Sequence, residues 1–194
     1  MATPSHRLMR ALSLLLILGA CGLLCQSAWI EVKAWLAQEL IGRAWRQSLV
    51  THRPIRPWAW ADTWPVARLS VPRLGLERIV LAGVSGRTLA FGPGWAEQSA
   101  TPGEYGRSLL AGHRDTHFSF LAELVKGDRL LLQSAQGKTQ RYRVVELSVV
   151  EDDAGWLMSP GGSDELLLVT CYPFYSPISG GSQRYLVRAV PFTT

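Results

Sequence analysis

Outside an apolar N-terminal run the chain has a single cysteine, Cys171; the other two of its three, Cys21 and Cys25, lie within that run. A lone cysteine excludes an intradomain disulfide framework and a thiolate zinc cluster. Net charge is missing from the body as well. Residues 61–194 carry thirteen Lys/Arg and thirteen Asp/Glu, so the formal excess of +5 sits in residues 1–60, which hold seven basic and two acidic residues. A nucleic-acid partner would call for a basic face on the folded part, and that function class is set aside. No repeat or low-complexity tract is visible, which argues against a solenoid or a disordered tail.

What is present begins with a membrane signal. Ala11–Cys25 is wholly apolar or small, and Ser27–Ile30 extend the run to about 20 residues, enough for a ~30 Å hydrocarbon core. His6, Arg7 and Arg10 precede it, so the positive-inside rule puts residues 1–10 in the cytoplasm and the rest outside the inner membrane. Residues 11–30 are read as a signal-anchor, with a cleaved signal peptide or acylation at Cys21 as the competing readings. Residues 28–50 continue as a helix on the spacing of Val32, Leu36, Leu40 and Ala44. Thr51–Pro65, with three prolines and Trp58, Trp60 and Trp64, reads as a linker or wrapping arm, so that 31–65 form an extracytoplasmic spacer.

From residue 66 to 194 the signals are those of a mainly β domain. Candidate strands start at Arg68, Leu76, Ser108, Arg129, Gln140, Glu165 and Tyr185, separated by Gly/Pro/Asp/Ser clusters. Their spacing predicts a closed or sandwiched β fold. Ser119–Lys126 is the clearest helical piece, stopped by Gly127.

Two strand ends could carry chemistry. Leu109-Leu-Ala-Gly-His113 runs an apolar strand into Gly112 and then a histidine, a side chain suited to proton transfer near neutrality. Glu165-Leu-Leu-Leu-Val-Thr170-Cys171 ends a second apolar strand on the cysteine, with Pro173 stopping the ladder. Arg184 opens the next strand. If these strands are neighbours, a thiolate can attack a carbonyl, His113 can protonate the leaving amine, and Arg184 can stabilise the oxyanion. Each residue alone has an ordinary reading: Cys171 as a buried small hydrophobe, His113 as a structural histidine, Arg184 as a solvated strand residue. His117 is the second candidate histidine.

Taken together, Gly92-Pro-Gly, Pro102-Gly-Glu, Leu110-Ala-Gly-His113-Arg-Asp-Thr-His117-Phe, Leu168-Val-Thr-Cys171 and Arg184 resemble the sortase family over roughly residues 66–190. Cys171-Tyr-Pro-Phe and the N-terminal anchor look most like its Gram-negative class GN. The resemblance implies an eight-stranded sortase β-barrel that cleaves an LPXTG-like C-terminal sorting signal between Thr and Gly. The acyl group would be held as a thioester on Cys171 and passed to an amine. Thr170, just before the nucleophile, is expected to help position the substrate, and Asp115 is near enough to His113 in the chain to orient it, although the family usually needs no third residue. No metal or other cofactor is required; Glu151-Asp152-Asp153 is the one candidate calcium loop, and three adjacent acids more often make a solvated turn. Trp95 and Arg107 depart from the family pattern, where histidine and asparagine are common. The alternatives are an exported cysteine hydrolase and a non-catalytic peptide-binding barrel.

Overall fold

The computed structural model describes residues 4–151, 163–175 and 181–193. Asp152, Asp153 and the Ser159-Pro-Gly-Gly cluster fall outside these. The chain divides into two compact units, Met1–Glu39 and Leu40–Thr194.

The first unit is helical, part of α1 (Pro4–Thr51). Leu14, Leu15, Leu18, Leu23, Leu24, Trp29 and Trp35 are all more than half exposed, which in water would be unfavourable for so many large apolar side chains. Among the described residues this is the one helix long and apolar enough to cross a membrane. The last turns of α1 belong to the second unit and bury Ile41, Ala44, Trp45 and Ser48. The helix ends where His52 takes a positive φ of 53° and Pro54 forbids continuation.

The arm that follows packs on the barrel. Thr63 Oγ1 donates to the Ala82 carbonyl (2.7 Å), the Ala82 amide donates to Trp64 O (2.9 Å), and Trp58 meets Phe91 edge-on at 5.1 Å. Trp60 stays exposed. The sequence left these tryptophans undecided between packing on the domain and resting at a membrane interface; the second unit takes up two of the three.

Eight strands close a barrel: β1 (Pro65–Val71), β2 (Leu76–Ala82), β3 (Gly94–Trp95), β4 (Arg107–Ala111), β5 (Arg129–Ser134), β6 (Thr139–Glu151), β7 (Glu165–Cys171) and β8 (Gln183–Pro191). Their order around it is β1-β2-β3-β4-β7-β8-β6-β5, with β2–β3 and β4–β7 parallel. The expected fold class is therefore observed. Two elements were not legible in advance. Strand β3 has two residues and lies in what reads as a Gly-Pro-Gly turn, and the short helix α2 (Gly86–Leu89) is capped by Ser85 Oγ accepting from the Thr88 amide at 3.1 Å. The helical piece after His113 is a 3-10 helix, Ser119–Glu123, shorter than Ser119–Lys126.

Alternation sorts the strand residues into two clusters. Leu69, Val80, Leu110, Leu130, Leu132, Tyr142, Val144, Leu166, Leu168 and Val187 fill the interior, together with Phe118, Phe120, Leu121 and Leu124 from the segment after His113. Their intervening neighbours Leu109, Leu167 and Leu186 join Ala96 in a second, smaller cluster, with Val84, Val150 and Val169 against it. The face of β4, β7 and β8 turned away from the barrel interior is thus apolar in its middle, with Arg107, Glu165 and Arg188 at the end away from Cys171.

Candidate active site

The site forms where that apolar face ends. In β7 and β8, Cys171 stands directly opposite Arg184 in antiparallel register, so their Cβ atoms are about 5 Å apart and on one side of the sheet. Counting back by twos, Cys171 shares its side with Val169 and Leu167, and Arg184 shares its side with Leu186. On the other flank, β4 runs parallel to β7 with Ala111 opposite Val169, and the Gly112 amide still donates to Val169 O (3.2 Å). His113 follows two residues after Ala111, as Cys171 follows two after Val169. Histidine, cysteine and arginine therefore leave three adjacent strands at the same end. Cys171 and Arg184 are half-buried and His113 is exposed, so a substrate can reach all three.

Local packing explains why these strand ends are rigid. A Cβ at Gly112 would lie 2.7 Å from the Phe118 ring, which is fully buried, so only glycine lets the ring close over the turn. The same turn is bonded to the His113 carbonyl by the Phe118 amide (3.0 Å). Thr170 is 2% exposed and its Oγ1 donates to Gly112 O at 2.7 Å. The structure thus places Thr170 behind the site, holding the histidine turn, where its place before the nucleophile led to the expectation of contact with substrate. Thr170→Val should leave a buried carbonyl without that donor, at a cost of about 1–3 kcal/mol. A Tm lowered by several degrees, with turnover reduced as well, is the expected outcome; an unchanged Tm would remove the bond's importance.

Arg184 is itself held: its Nη1 donates to Gly181 O (2.6 Å) and Gln183 O (3.0 Å). Asp115 is largely exposed and pairs with Arg114 Nε (3.4 Å). His117 is half-buried, close enough to the Ala90 backbone and to His113 to be influenced by both. Burial first, and then Arg78 and His113, holds its imidazole below the usual histidine value. Behind Cys171, Tyr172, Phe174 and Tyr185 form an aromatic group, with Tyr172 stacked on Tyr185 at 6.1 Å and Phe174 edge-on to Tyr185 at 5.0 Å.

The two departures from the resemblance have local jobs. Trp95 Nε1 donates to Ala100 O (3.0 Å) and Ser99 Oγ (3.1 Å), fixing the loop ahead of β4. Arg107 and Arg188 both reach the buried Glu165, at 3.1 Å each. Burial raises that carboxyl's pKa, but the two guanidiniums outweigh it and the net direction is down. Among the described residues no group of three or more His, Cys, Asp or Glu could hold a metal ion.

A closed barrel whose neighbouring strand ends carry a cysteine, a histidine and an arginine defines a class of candidate cysteine enzyme. The comparisons narrow it. A sortase-domain family model matches residues 69–192. Sortase D of Bacillus subtilis is 35% identical over 120 residues, which is 61% of this chain and 60% of that relative. In structure, a Clostridium perfringens Sortase D5 transpeptidase superposes with a TM-score of 0.61 at 20% identity, covering 74% of this chain and 85% of the other. The catalytic domain of Bacillus anthracis SrtD gives 0.57 at 30% identity, covering 66% and 88%. This chain belongs to the sortase family.

Proposed function

We propose that the chain is a membrane-anchored cysteine transpeptidase, with Cys171 as nucleophile, His113 as acid/base and Arg184 as oxyanion stabiliser. The observation that carries the reading is the register of three adjacent strands, which puts Cys171 opposite Arg184 and His113 at the matching end of β4. Family membership supports the same assignment.

In the reaction, the Cys171 sulfur attacks the scissile carbonyl and forms a tetrahedral oxyanion beside the Arg184 guanidinium. The C–N bond breaks as the leaving amine takes a proton from His113, leaving a thioester on Cys171. A second amine then attacks the thioester carbonyl, gives its proton to the histidine and expels the thiolate. Val169 and Val150, only partly buried beside Cys171 and Arg184, suit an extended peptide with apolar residues ahead of the cleaved bond. That fits an LPXTG-like C-terminal sorting signal cleaved between Thr and Gly, with water replacing the amine in a hydrolytic side reaction. Asp115, Thr170 and His117 act around this centre: Thr170 by holding the Gly112 carbonyl, Asp115 by pairing with Arg114, His117 from its half-buried place near the Ala90 backbone.

Residues 1–10 form a cytoplasmic tail, 11–30 the anchor, 31–65 the spacer and 66–194 the catalytic domain on the outer side of the inner membrane. The exposed leucines of α1 and its basic start support this arrangement. The Cys171-Tyr-Pro-Phe run supports placement in class GN. The relatives named above are sortases of type D, so the subclass rests on that resemblance.

The test is intact-mass analysis of the full chain in detergent micelles after incubation with an LPXTG-type peptide and triglycine. A thioester adduct on Cys171 that resolves to the amide-linked product is expected. An adduct that resolves to acid alone would point to a hydrolase. A wild-type protein that alkylates at Cys171 but forms no adduct with any sorting peptide would sink the reading.

A further inference from the structure

We infer that Arg114 is a positioning residue that sets the distance between the His113 and Cys171 turns. The inference rests on the cysteine-transfer reading above. Arg114 follows the histidine directly, yet it is 7% exposed in a turn whose neighbours His113 and Asp115 are both exposed. Burying a guanidinium is unfavourable unless its charge and donors are engaged. Its Nη1 donates to Pro173 O at 2.7 Å, while Nε contacts Asp115 at the rim at 3.4 Å.

The Pro173 carbonyl lies two residues beyond the nucleophile, where the sheet stops supporting the chain. Among the described residues the last bond across β7 and β8 is from the Tyr172 amide to Gln183 O (3.0 Å), and Pro173 has no amide with which to continue the ladder. Cross-links between the β4 and β7 ends form a series: Gly112 N to Val169 O, Thr170 Oγ1 to Gly112 O, then Arg114 Nη1 to Pro173 O. The first two fix the strands. The third joins the turn that carries His113 to the turn that follows Cys171, on the far side of both reactive groups. Cys171 and His113 are thus bracketed, with the two strand-end bonds before them and the arginine strut after them. A charged donor with a rigid planar head suits this job, because it holds direction as well as distance.

Such a strut touches no reacting atom, so its loss should act on geometry. Arg114→Met in the full chain, held in detergent micelles, should lower kcat by about 100-fold with KM changed less than about threefold, since a misplacement near 1 Å costs that much. Arg114→Lys keeps the charge but cannot span both Pro173 O and Asp115, and should lose about tenfold. Hydrogen exchange provides a readout that needs no substrate. The Tyr172, Phe174 and Tyr175 amides should exchange faster in Arg114→Met while those of β4, β7 and β8 stay protected. Wild-type kcat in Arg114→Met, a loss confined to KM, or unchanged exchange in the 172–175 turn would overturn the inference. If Arg114→Met does not fold, Arg114→Lys decides, and full wild-type kcat there overturns it. If the wild-type chain turns over no peptide, the function proposed above fails, and the exchange arm still settles the strut.

Discussion

His113→Gln lowers acyl transfer from a sorting peptide by about 10⁴-fold, while Cys171 remains open to alkylation. Glutamine keeps a side chain of similar reach and hydrogen-bonding ability but cannot exchange a proton with the leaving or entering amine. Groups that act as a unit lose most of their effect when any one is removed, so Cys171→Ala should fall to the same floor and the double variant should fall no further. His117→Gln is the internal control. That imidazole is half-buried near the Ala90 backbone, and burial holds it towards the neutral form, so its loss should alter turnover by only a few-fold. The measurement is kcat/KM for an LPXTG-type peptide in the full chain. A His113→Gln protein within tenfold of wild type, or a large loss at His117 in its place, would show that the wrong histidine has been assigned.

Arg184→Met should reduce kcat by about 10²–10³, equivalent to roughly 2.7–4 kcal/mol of transition-state stabilisation, with KM nearly constant. The geometry makes this a statement about direction as much as charge. Arg184 stands opposite Cys171, and its Nη1 is fastened to Gly181 O and Gln183 O, so the guanidinium is held in place before the oxyanion develops. Lysine offers a charge on a flexible stem that cannot use the same two carbonyls to aim a second donor, and Arg184→Lys should recover only a minor part of the loss. Were Arg184→Met to raise KM at constant kcat, the arginine would be binding the ground state, and its role as oxyanion stabiliser would fall.

The two predictions draw on different levels of information. That a cysteine and a histidine end apolar strands is written in Glu165-Leu-Leu-Leu-Val-Thr170-Cys171 and Leu109-Leu-Ala-Gly-His113, because period-2 burial and the glycine and proline stops are local properties of a chain. The strand boundaries followed for the same reason, β5 and β7 almost to the residue. Where the local signal was weak, so was the expectation. Strand β3 is two residues long because Gly94 must come close to the chain next to β2: a Cβ there would sit 2.2 Å from the Gly83 carbonyl. No periodicity can be read from two residues, and the glycines that read as a turn are what permit the approach.

The roles of Thr170, Asp115 and Arg114 were beyond sequence reading for a different reason. Thr170 precedes the cysteine and so looks like a substrate contact, but alternation turns it away from Cys171, towards Gly112. Asp115 lies two residues from His113 in the chain, yet its carboxylate meets Arg114. Arg114 itself gave no signal, since an arginine in a polar turn is ordinarily solvated. What would have singled it out is a partner 59 residues away, and separations of that kind are set by closure of the barrel.

By itself, then, the sequence determined the apolar helix, the β character of the body, and the residue types able to do cysteine chemistry, since burial period, chain breakers and side-chain reactivity are properties of short segments. Only the tertiary structure decided that β4, β7 and β8 are neighbours, that Cys171 faces Arg184, and that an arginine beside the histidine reaches the turn behind the cysteine. Those facts depend on parallel and antiparallel register between distant strands, which is fixed when a whole barrel closes on one core and by nothing shorter.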